Sequence, residues 1–286
     1  MSRAGVELVT VCVCTLGARE RTQQLIGQLV RQLQSDDQLL VVLSGAHARA
    51  PTGLSESCLV RCGRLGLSGA RNQALSLAKH DVIAFLDDDV EVAGDYVGAL
   101  RFAFREPVVG YVGGRITVPL VVAEWVRASD LAWTFSSFDL GDRPRWLARG
   151  ETVVGANMAL RRRALAGGFD ERLGYVGGKQ IGGEEVELVG RLVSAGWEGW
   201  YEPGMSVIHH VGVERNSLRW QAARGFWEGV SLARRGASGS PKGHAPAKRA
   251  VALAASGELR GALVYGAQEL GLLWDRGREY GHGHES

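Results

Sequence analysis

The stretch Asp81-Val82-Ile83-Ala84-Phe85-Leu86-Asp87-Asp88-Asp89-Val90 decides how the rest of this chain is read. The apolar run from Val82 to Leu86 has the length and content of a strand buried on both faces. It delivers three consecutive carboxylates, Asp87, Asp88 and Asp89, into the loop at its end. Adjacent anions repel one another, so the trio costs free energy unless a counter-ion relieves it. A hard divalent cation bound to carboxylate oxygens would do so, and a cation held there can carry a diphosphate. The competing reading is a solvated acidic turn, because aspartate favours turns.

Upstream, the chain alternates strand and helix patterns. Leu8 to Cys14 is a near-continuous apolar run, and Thr15 to Gln34 follows with Leu25, Ile26, Leu29, Val30 and Leu33 at helical spacing. Leu39 to Leu43 is a second buried strand, stopped by Ser44-Gly45. A weaker strand at Cys58 to Arg61 and a helix from about Ser68 to Lys79 lead into the strand that ends at Asp87. This order predicts a parallel sheet with helices on both faces. Ligands of such sheets bind beyond the carboxyl ends of the strands, where the three aspartates lie. No G-x-G-x-x-G follows the first strand and there is no P-loop, so the usual dinucleotide and triphosphate cradles are missing.

Composition narrows the field. A chain of 286 residues with 45% hydrophobic content can bury a full core. A formal charge of +2 argues against nucleic acid as a partner. The four cysteines, Cys12, Cys14, Cys58 and Cys62, lack paired CxxC spacing, and Cys12 and Cys14 read as small core residues. The apolar run at Leu8 to Cys14 is too short for a signal peptide, and no stretch has the ~20 apolar residues of a bilayer span. A reduced, cytoplasmic protein is the expectation, with peripheral seating at a membrane as its variant.

Downstream, Val153 to Arg162 leads to Gly167-Gly168-Phe169-Asp170-Glu171, and Gly182-Gly183-Glu184-Glu185 opens a helix. Carboxylates at a helix start suit the positive end of its dipole, which makes capping the plain role for Glu184 and Glu185. His209 and His210 end a strand pattern, where a structural role is commoner than a ligand role.

Together these blocks resemble glycosyltransferase family 2, nucleotide-sugar enzymes of the GT-A fold. The resemblance runs from about Glu7 to Val211. It is carried by the opening strand into Thr15, by Gly66-Leu67-Ser68-Gly69-Ala70-Arg71-Asn72, and by the aspartate motif from Phe85 to Asp89. Gly155-Ala156-Asn157-Met158 with Gly167 to Asp170, Gly183-Glu184-Glu185, and His209 complete it. It implies an α/β GT-A architecture, Rossmann-like, with a mostly parallel central sheet flanked by helices. The expected division is a catalytic domain at 1–211, its nucleotide half at about 1–112 and its acceptor half at about 113–211, then a helical C-terminal extension at 212–286.

The resemblance also implies roles. Asp89 and His209 would bind Mn²⁺ or Mg²⁺ at the diphosphate of a nucleotide-sugar donor. Asp87 or Asp88 would meet the ribose or a metal-bound water. Arg71 would hold a phosphate or the base edge through its planar fork, unless it is a surface arginine. Thr15, Arg19 and Asn72 join the donor side. Glu185 would be the general base of an inverting transfer to an acceptor hydroxyl or amine, with Glu184 as the alternate. The family commonly carries aspartate at the base position and an aspartate after the second strand, where this chain has glutamate and Leu43-Ser44-Gly45-Ala46. UDP is the favoured nucleotide. A retaining transferase on the same fold, or a nucleotide-sugar-binding protein without turnover, are the alternatives.

On the acceptor side, Asn157 and the aromatic residues Trp125, Trp133 and Trp146 fit a carbohydrate, natural-product or lipid-linked acceptor, or simply pack a lid. Residues 212–286 carry eleven Lys/Arg against seven Asp/Glu. They predict a helix at Leu218 to Arg235, a break at Gly236 to Pro241 and a last helix from about Ala247 to Arg276. That helix places Leu259, Leu263, Ala267, Leu270 and Trp274 on one face. Packing on the catalytic domain or in a homo-oligomer is the simpler use of that face, and a membrane surface is the other. The His282 and His284 tail reads as a disordered end.

Overall fold

Every residue of β1 (Val9–Thr15) is buried, and its alternation sorts the core into two layers. Val9, Val11 and Val13 face one cluster, while Cys12 and Cys14 face the other. In the computed structural model, which describes residues 7–17, 19–45, 48–63, 66–236 and 245–281, the remaining elements build out from that strand. Helix α1 (Glu20–Val30) lays Leu25, Ile26 and Leu29 on the first layer. Strands β2 (Gln38–Ser44) and β3 (Leu59–Cys62) extend the sheet on one side of β1. Helix α2 (Leu67–Leu77) covers the second layer with Ala70 and Ala74, whose small size brings it close to the sheet.

β4 (Val82–Asp87) pairs parallel to β1 on its other side. Val82, Ala84 and Leu86 join the first layer, Ile83 and Phe85 the second, so each face of this strand is dry. After the two-residue turn at Asp88 and Asp89 comes β5 (Val90–Val92), then α3 (Tyr96–Ala103) and β6 (Val109–Thr117). The short helix α4 (Glu124–Ala128), β7 (Arg145–Trp146), β8 (Asn157–Arg161) and the hairpin of β9 (Gly174–Val176) and β10 (Lys179–Gly182) follow. Next are α5 (Glu184–Ser194), β11 (Glu198–His209), α6 (Leu218–Arg234), α7 (Pro246–Ala255) and α8 (Leu259–Gly281).

The main sheet runs β3-β2-β1-β4-β8-β6-β11-β5, with β7 paired to β11. The first three pairings are parallel, β8 is antiparallel to both neighbours, and β6 and β11 are parallel again. β4 and β11 therefore end on the same side of the sheet. The expected mostly parallel α/β architecture is what forms.

Two features of the C-terminal helices differ from the sequence reading. The last predicted helix is two, α7 and α8, because the chain turns at Ser256-Gly257 with Gly257 at φ 85°. On α8, Leu259, Leu263 and Leu270 are exposed instead of packed against the described chain, and Trp274, 40% exposed, meets Phe226 and Trp227 with the rest of its ring. The tail at His282 and His284, and most of the break at Gly236 to Pro241, lie outside the described residues. The chain also forms two compact units that do not coincide with a cut at 211. One comprises 1–119, 136–170 and 185–210; the other gathers 120–135, 171–184 and 211–286. The C-terminal helices thus share their unit with α4 and with the β9–β10 hairpin.

Candidate active site

The alternation of β4 continues into its last residue. Asp87 follows Ile83 and Phe85 in parity and so faces the layer covered by α2, where Arg71 is waiting. Arg71 is only 2% exposed, against the surface alternative. Its Nη2 donates to the Gly155 carbonyl at 2.8 Å and lies 3.4 Å from Asp87 Oδ1. Phe85 and Phe169, themselves edge to face at 5.6 Å, place their rings 5.9 and 5.6 Å from its guanidinium carbon. A buried guanidinium with one carbonyl, one carboxylate and two rings orients Asp87.

Asp88 turns the other way, toward β1, and accepts a hydrogen bond from the Thr15 hydroxyl. Thr15 in turn accepts the Gly17 N–H at 3.0 Å, which fixes the loop leaving β1. Burial raises the Asp88 carboxyl above its ordinary range; the Thr15 bond opposes this, the charges of Asp89 and Asp87 add to it, and Arg19 opposes it. Arg19, exposed at the N-terminal cap of α1, thus acts electrostatically on Asp88. The cost of three neighbouring anions is visible in this shift.

His209 reaches the trio by strand register. β5 pairs antiparallel with β11 so that Val90 sits opposite His209, and the His210 N–H donates to the Asp89 carbonyl at 3.1 Å. His209 Nε2 lies 3.3 Å from Asp89 Oδ1. The neighbouring His210 points elsewhere, to Glu91 at 2.5 Å. Asp87, Asp89 and His209 each offer one ligand atom within 4.8 Å of the others. Ligands on opposite sides of a small divalent cation stand roughly 4 Å apart, so a small closure would seat one. His209 is 3% exposed, and among the described residues its Nδ1 has no hydrogen-bond partner. The carboxylate and imidazole set suits Mn²⁺ and accepts Mg²⁺. The sequence reading had Asp89 and His209 as ligands and Asp87 on the donor; the geometry draws Asp87 into the cluster.

The other expected residues are more dispersed. Asn72 exchanges hydrogen bonds with the Phe169 backbone, its Nδ2 donating at 3.0 Å and its Oδ1 accepting at 2.7 Å. It pins the Gly167-Gly168-Phe169 turn to α2, and a Cβ at Gly168 would collide with its Oδ1. Asn157 is fully buried and donates to Met205 O at 2.7 Å and Arg115 O at 3.1 Å while accepting from the Tyr96 hydroxyl at 2.8 Å. Its side chain stitches β8 to β6 and β11 and presents nothing to an acceptor. Trp146 packs edge-on against Trp200 at 4.9 Å. That pair lies at the start of β11, separated from His209 at its end by the irregular stretch between Glu202 and Val207. Trp125 and Trp133 belong to the other unit, where the guanidinium carbons of Arg260 and Arg224 lie 5.9 and 4.8 Å from their rings. Glu184 and Glu185 occupy the first turn of α5; Glu184 is buried at 4% exposure and Glu185 is more accessible. Cys12 and Cys14 are core residues as expected, and burial pushes the Cys12 thiol up, away from nucleophilic use.

Comparison with known proteins bears on the fold and the family. The pre-mycofactocin glycosyltransferase of Mycobacterium tuberculosis is 36% identical over 170 residues, 57% of this chain and 34% of its own. The chain thus spans about a third of that relative's length. The glucosyl-dolichyl phosphate glucuronosyltransferase of Haloferax volcanii is 22% identical over 240 residues, covering 78% of this chain and 75% of its own. Among solved structures, the mannosyltransferase PcManGT from Pyrobaculum calidifontis, in complex with GDP-Man and Mn²⁺, superposes with a TM-score of 0.56. Its identity is 17%, over 93% of this chain and 87% of that one. The model of glycosyl transferase family 2 matches residues 10–169, which include Thr15, Arg71, the three aspartates and Asn157. This chain belongs to glycosyl transferase family 2.

Proposed function

We propose that this protein transfers a sugar from a nucleoside-diphosphate donor, UDP first among the candidates, to an acceptor hydroxyl or amine with inversion at the anomeric carbon. The observation that carries the reading is the Asp87, Asp89 and His209 cluster at the carboxyl ends of β4 and β11. These three residues would hold Mn²⁺ or Mg²⁺, whose contribution is to neutralise charge growing on the leaving diphosphate. Arg71 keeps the Asp87 carboxylate aimed at the cluster through its anchor on Gly155. Thr15 holds Asp88 in place, and Arg19 supplies a cation at the nucleotide side.

In the transfer itself the acceptor oxygen or nitrogen forms a bond to the anomeric carbon as the bond to the diphosphate oxygen breaks. Its proton passes to a carboxylate on the opposite side, and the nucleoside diphosphate leaves with the electron pair. Glu185 is favoured over Glu184 for that proton because it is the more accessible of the two. The sugar, natural-product or lipid-linked nature of the acceptor is an open field for screening, and the dolichyl phosphate in the name of the Haloferax relative supports including lipid-linked phosphates.

The test is calorimetric binding of UDP, GDP and dTDP, with and without Mn²⁺, to wild type and Asp89→Ala. One nucleotide should bind in a Mn²⁺-dependent manner, and Asp89→Ala should weaken it by more than about tenfold. Binding indifferent to both Mn²⁺ and Asp89 would sink the metal-diphosphate reading. Glu185→Gln should keep nucleotide affinity and lose transfer by about 10² to 10⁴-fold. Transfer near the wild-type rate would remove Glu185 as the base.

A further inference from the structure

Helix α8 runs for 23 residues and is held on its inner face against α6 at glycine contacts. A Cβ at Gly229 would collide with the Gln268 carbonyl, and one at Gly271 with the Phe226 carbonyl. Val264, Tyr265, Gln268 and Leu272 are buried on that face. The outer face carries Leu259, Leu263, Leu270 and Trp274 at offsets of 0, 4, 11 and 15, with Leu273 beside them. Their exposures are 64, 61, 63, 40 and 56% in that chain order, Leu273 last. A helix facing water places polar residues there, and a stripe of this size on a folded chain marks a contact surface. No helix among the described residues is long and apolar enough to cross a membrane, so a lipid contact here would lie in the interfacial plane.

The charges beside the stripe select the occupant. Trp274 is also a wall of a cleft of about 460 Å³ lined by Val176, Lys179, Ile181, Trp227, Arg234 and Arg278, with no acidic side chain in the lining. Lys179 Nζ lies 5.1 Å from the Trp227 ring centre and the Arg278 guanidinium carbon 4.8 Å from that of Trp274, the two rings standing 6.3 Å apart. Arg234 is committed to Asp275 and to the Arg172 carbonyl. Lys179 and Arg278 have no ion-pair partner among the described residues. A tryptophan at the border of an apolar stripe and a pair of uncommitted cations is the composition that an anionic lipid–water interface favours. A second copy seated on the same face would bring these cations toward their own equivalents and be repelled.

We propose that α8 and its adjoining cleft dock this protein on an anionic membrane, the leucine stripe entering the interface and Lys179 and Arg278 meeting lipid phosphate. The proposal is independent of the donor chemistry, so the far-UV circular dichroism and the urea midpoint serve as controls for folding in every variant. The experiment is flotation of the full chain with vesicles of phosphatidylcholine alone or with about 30% phosphatidylglycerol, at low and high salt. Binding should require the anionic lipid and weaken as salt rises. Leu263→Ser and Leu270→Ser, both at exposed positions, should each lower partition by about tenfold. Lys179→Ala and Arg278→Ala should each lower it by about fivefold. The proposal is overturned by equal partition on neutral vesicles, or by no partition on either. It is equally overturned if inorganic phosphate alone fills the cleft and abolishes vesicle binding. Concentration-dependent self-association that the leucine variants abolish, without vesicle binding, would assign the stripe to a second copy instead.

Discussion

Arg71 is the residue whose replacement separates charge from geometry. Lysine keeps the positive charge near Asp87 but has no planar fork to reach the Gly155 carbonyl, and its ammonium is more strongly hydrated than a guanidinium. Arg71→Lys should therefore cost about 1 to 3 kcal/mol of stability in urea unfolding and loosen Mn²⁺-dependent nucleotide binding by about tenfold or more. Unchanged nucleotide affinity would show that Asp87 needs no such anchor. The aspartates themselves were legible in the sequence, because a buried apolar strand running into three carboxylates is a local signal. Arg71 was only half legible: an arginine on a helix start reads equally as surface, and what buries it, Gly155 and Phe169, lies far along the chain. His209 was legible through the family resemblance alone. Its approach to Asp89 is set by the pairing of β5 with β11, which leaves no mark at either residue.

At the level of elements, the corner between β10 and α5 governs how the candidate base is presented. Gly182 and Gly183 hold φ of 72° and 82°, a region costly for any residue with a Cβ. Ser231 on α6 donates to the Gly182 carbonyl at 3.1 Å. A Cβ at Gly183 would collide with Ser231 Oγ and lie 2.8 Å from Arg235 Nε. Glu228, almost fully buried, ties Arg224 at 3.0 Å and Arg235 at 3.2 Å into the same helix face, so that face has little room to yield. Gly183→Ala should lose about 1 to 3 kcal/mol of stability. If the proposed role of α5 holds, it should lower turnover with nucleotide affinity kept; equal losses in both would place the defect elsewhere. The glycine pair was visible in the sequence as a helix opening, but α6 as its support was not, since 49 residues separate Gly182 from Ser231. Asn157 shows the reverse failure. Its motif position suggested an acceptor contact, whereas an antiparallel β8 between β4 and β6 turns it inward to satisfy the carbonyls of Arg115 and Met205.

On the scale of the whole chain, the C-terminal 75 residues look in sequence like an appendage, and their packing argues that they are not. The backbone passes between the two compact units five times, at 119/120, 135/136, 170/171, 184/185 and 210/211. Within the second unit, Leu173 and Ile181 of the hairpin region form a core with Val230, joined by Val176, Phe226 and Trp227. Gln221 of α6 donates to Thr134 Oγ1 and to the Arg215 carbonyl, each at 2.7 Å, while Arg249 of α7 pairs with Asp130. Ending the chain at 210 would strip these partners from 120–135 and 171–184 while leaving both segments joined at each end, in sequence, to segments of the sheet unit. Large buried apolar residues exposed this way each cost about 1.5 to 3 kcal/mol, against a total stability of roughly 5 to 15 kcal/mol. The truncated chain should therefore aggregate or, if recovered, exchange amide hydrogen across 171–184 at rates near those of an unfolded chain. If the proposed donor site holds, the 286-residue chain saturated with Mn²⁺ and the nucleotide that calorimetry identifies, at about 100 times Kd, should gain roughly 2.7 kcal/mol in the same unfolding assay. A truncated chain that folds with the midpoint of the 286-residue chain and keeps 171–184 protected would show that the hairpin needs no helix from the C-terminal segment, and that the sheet unit is self-sufficient.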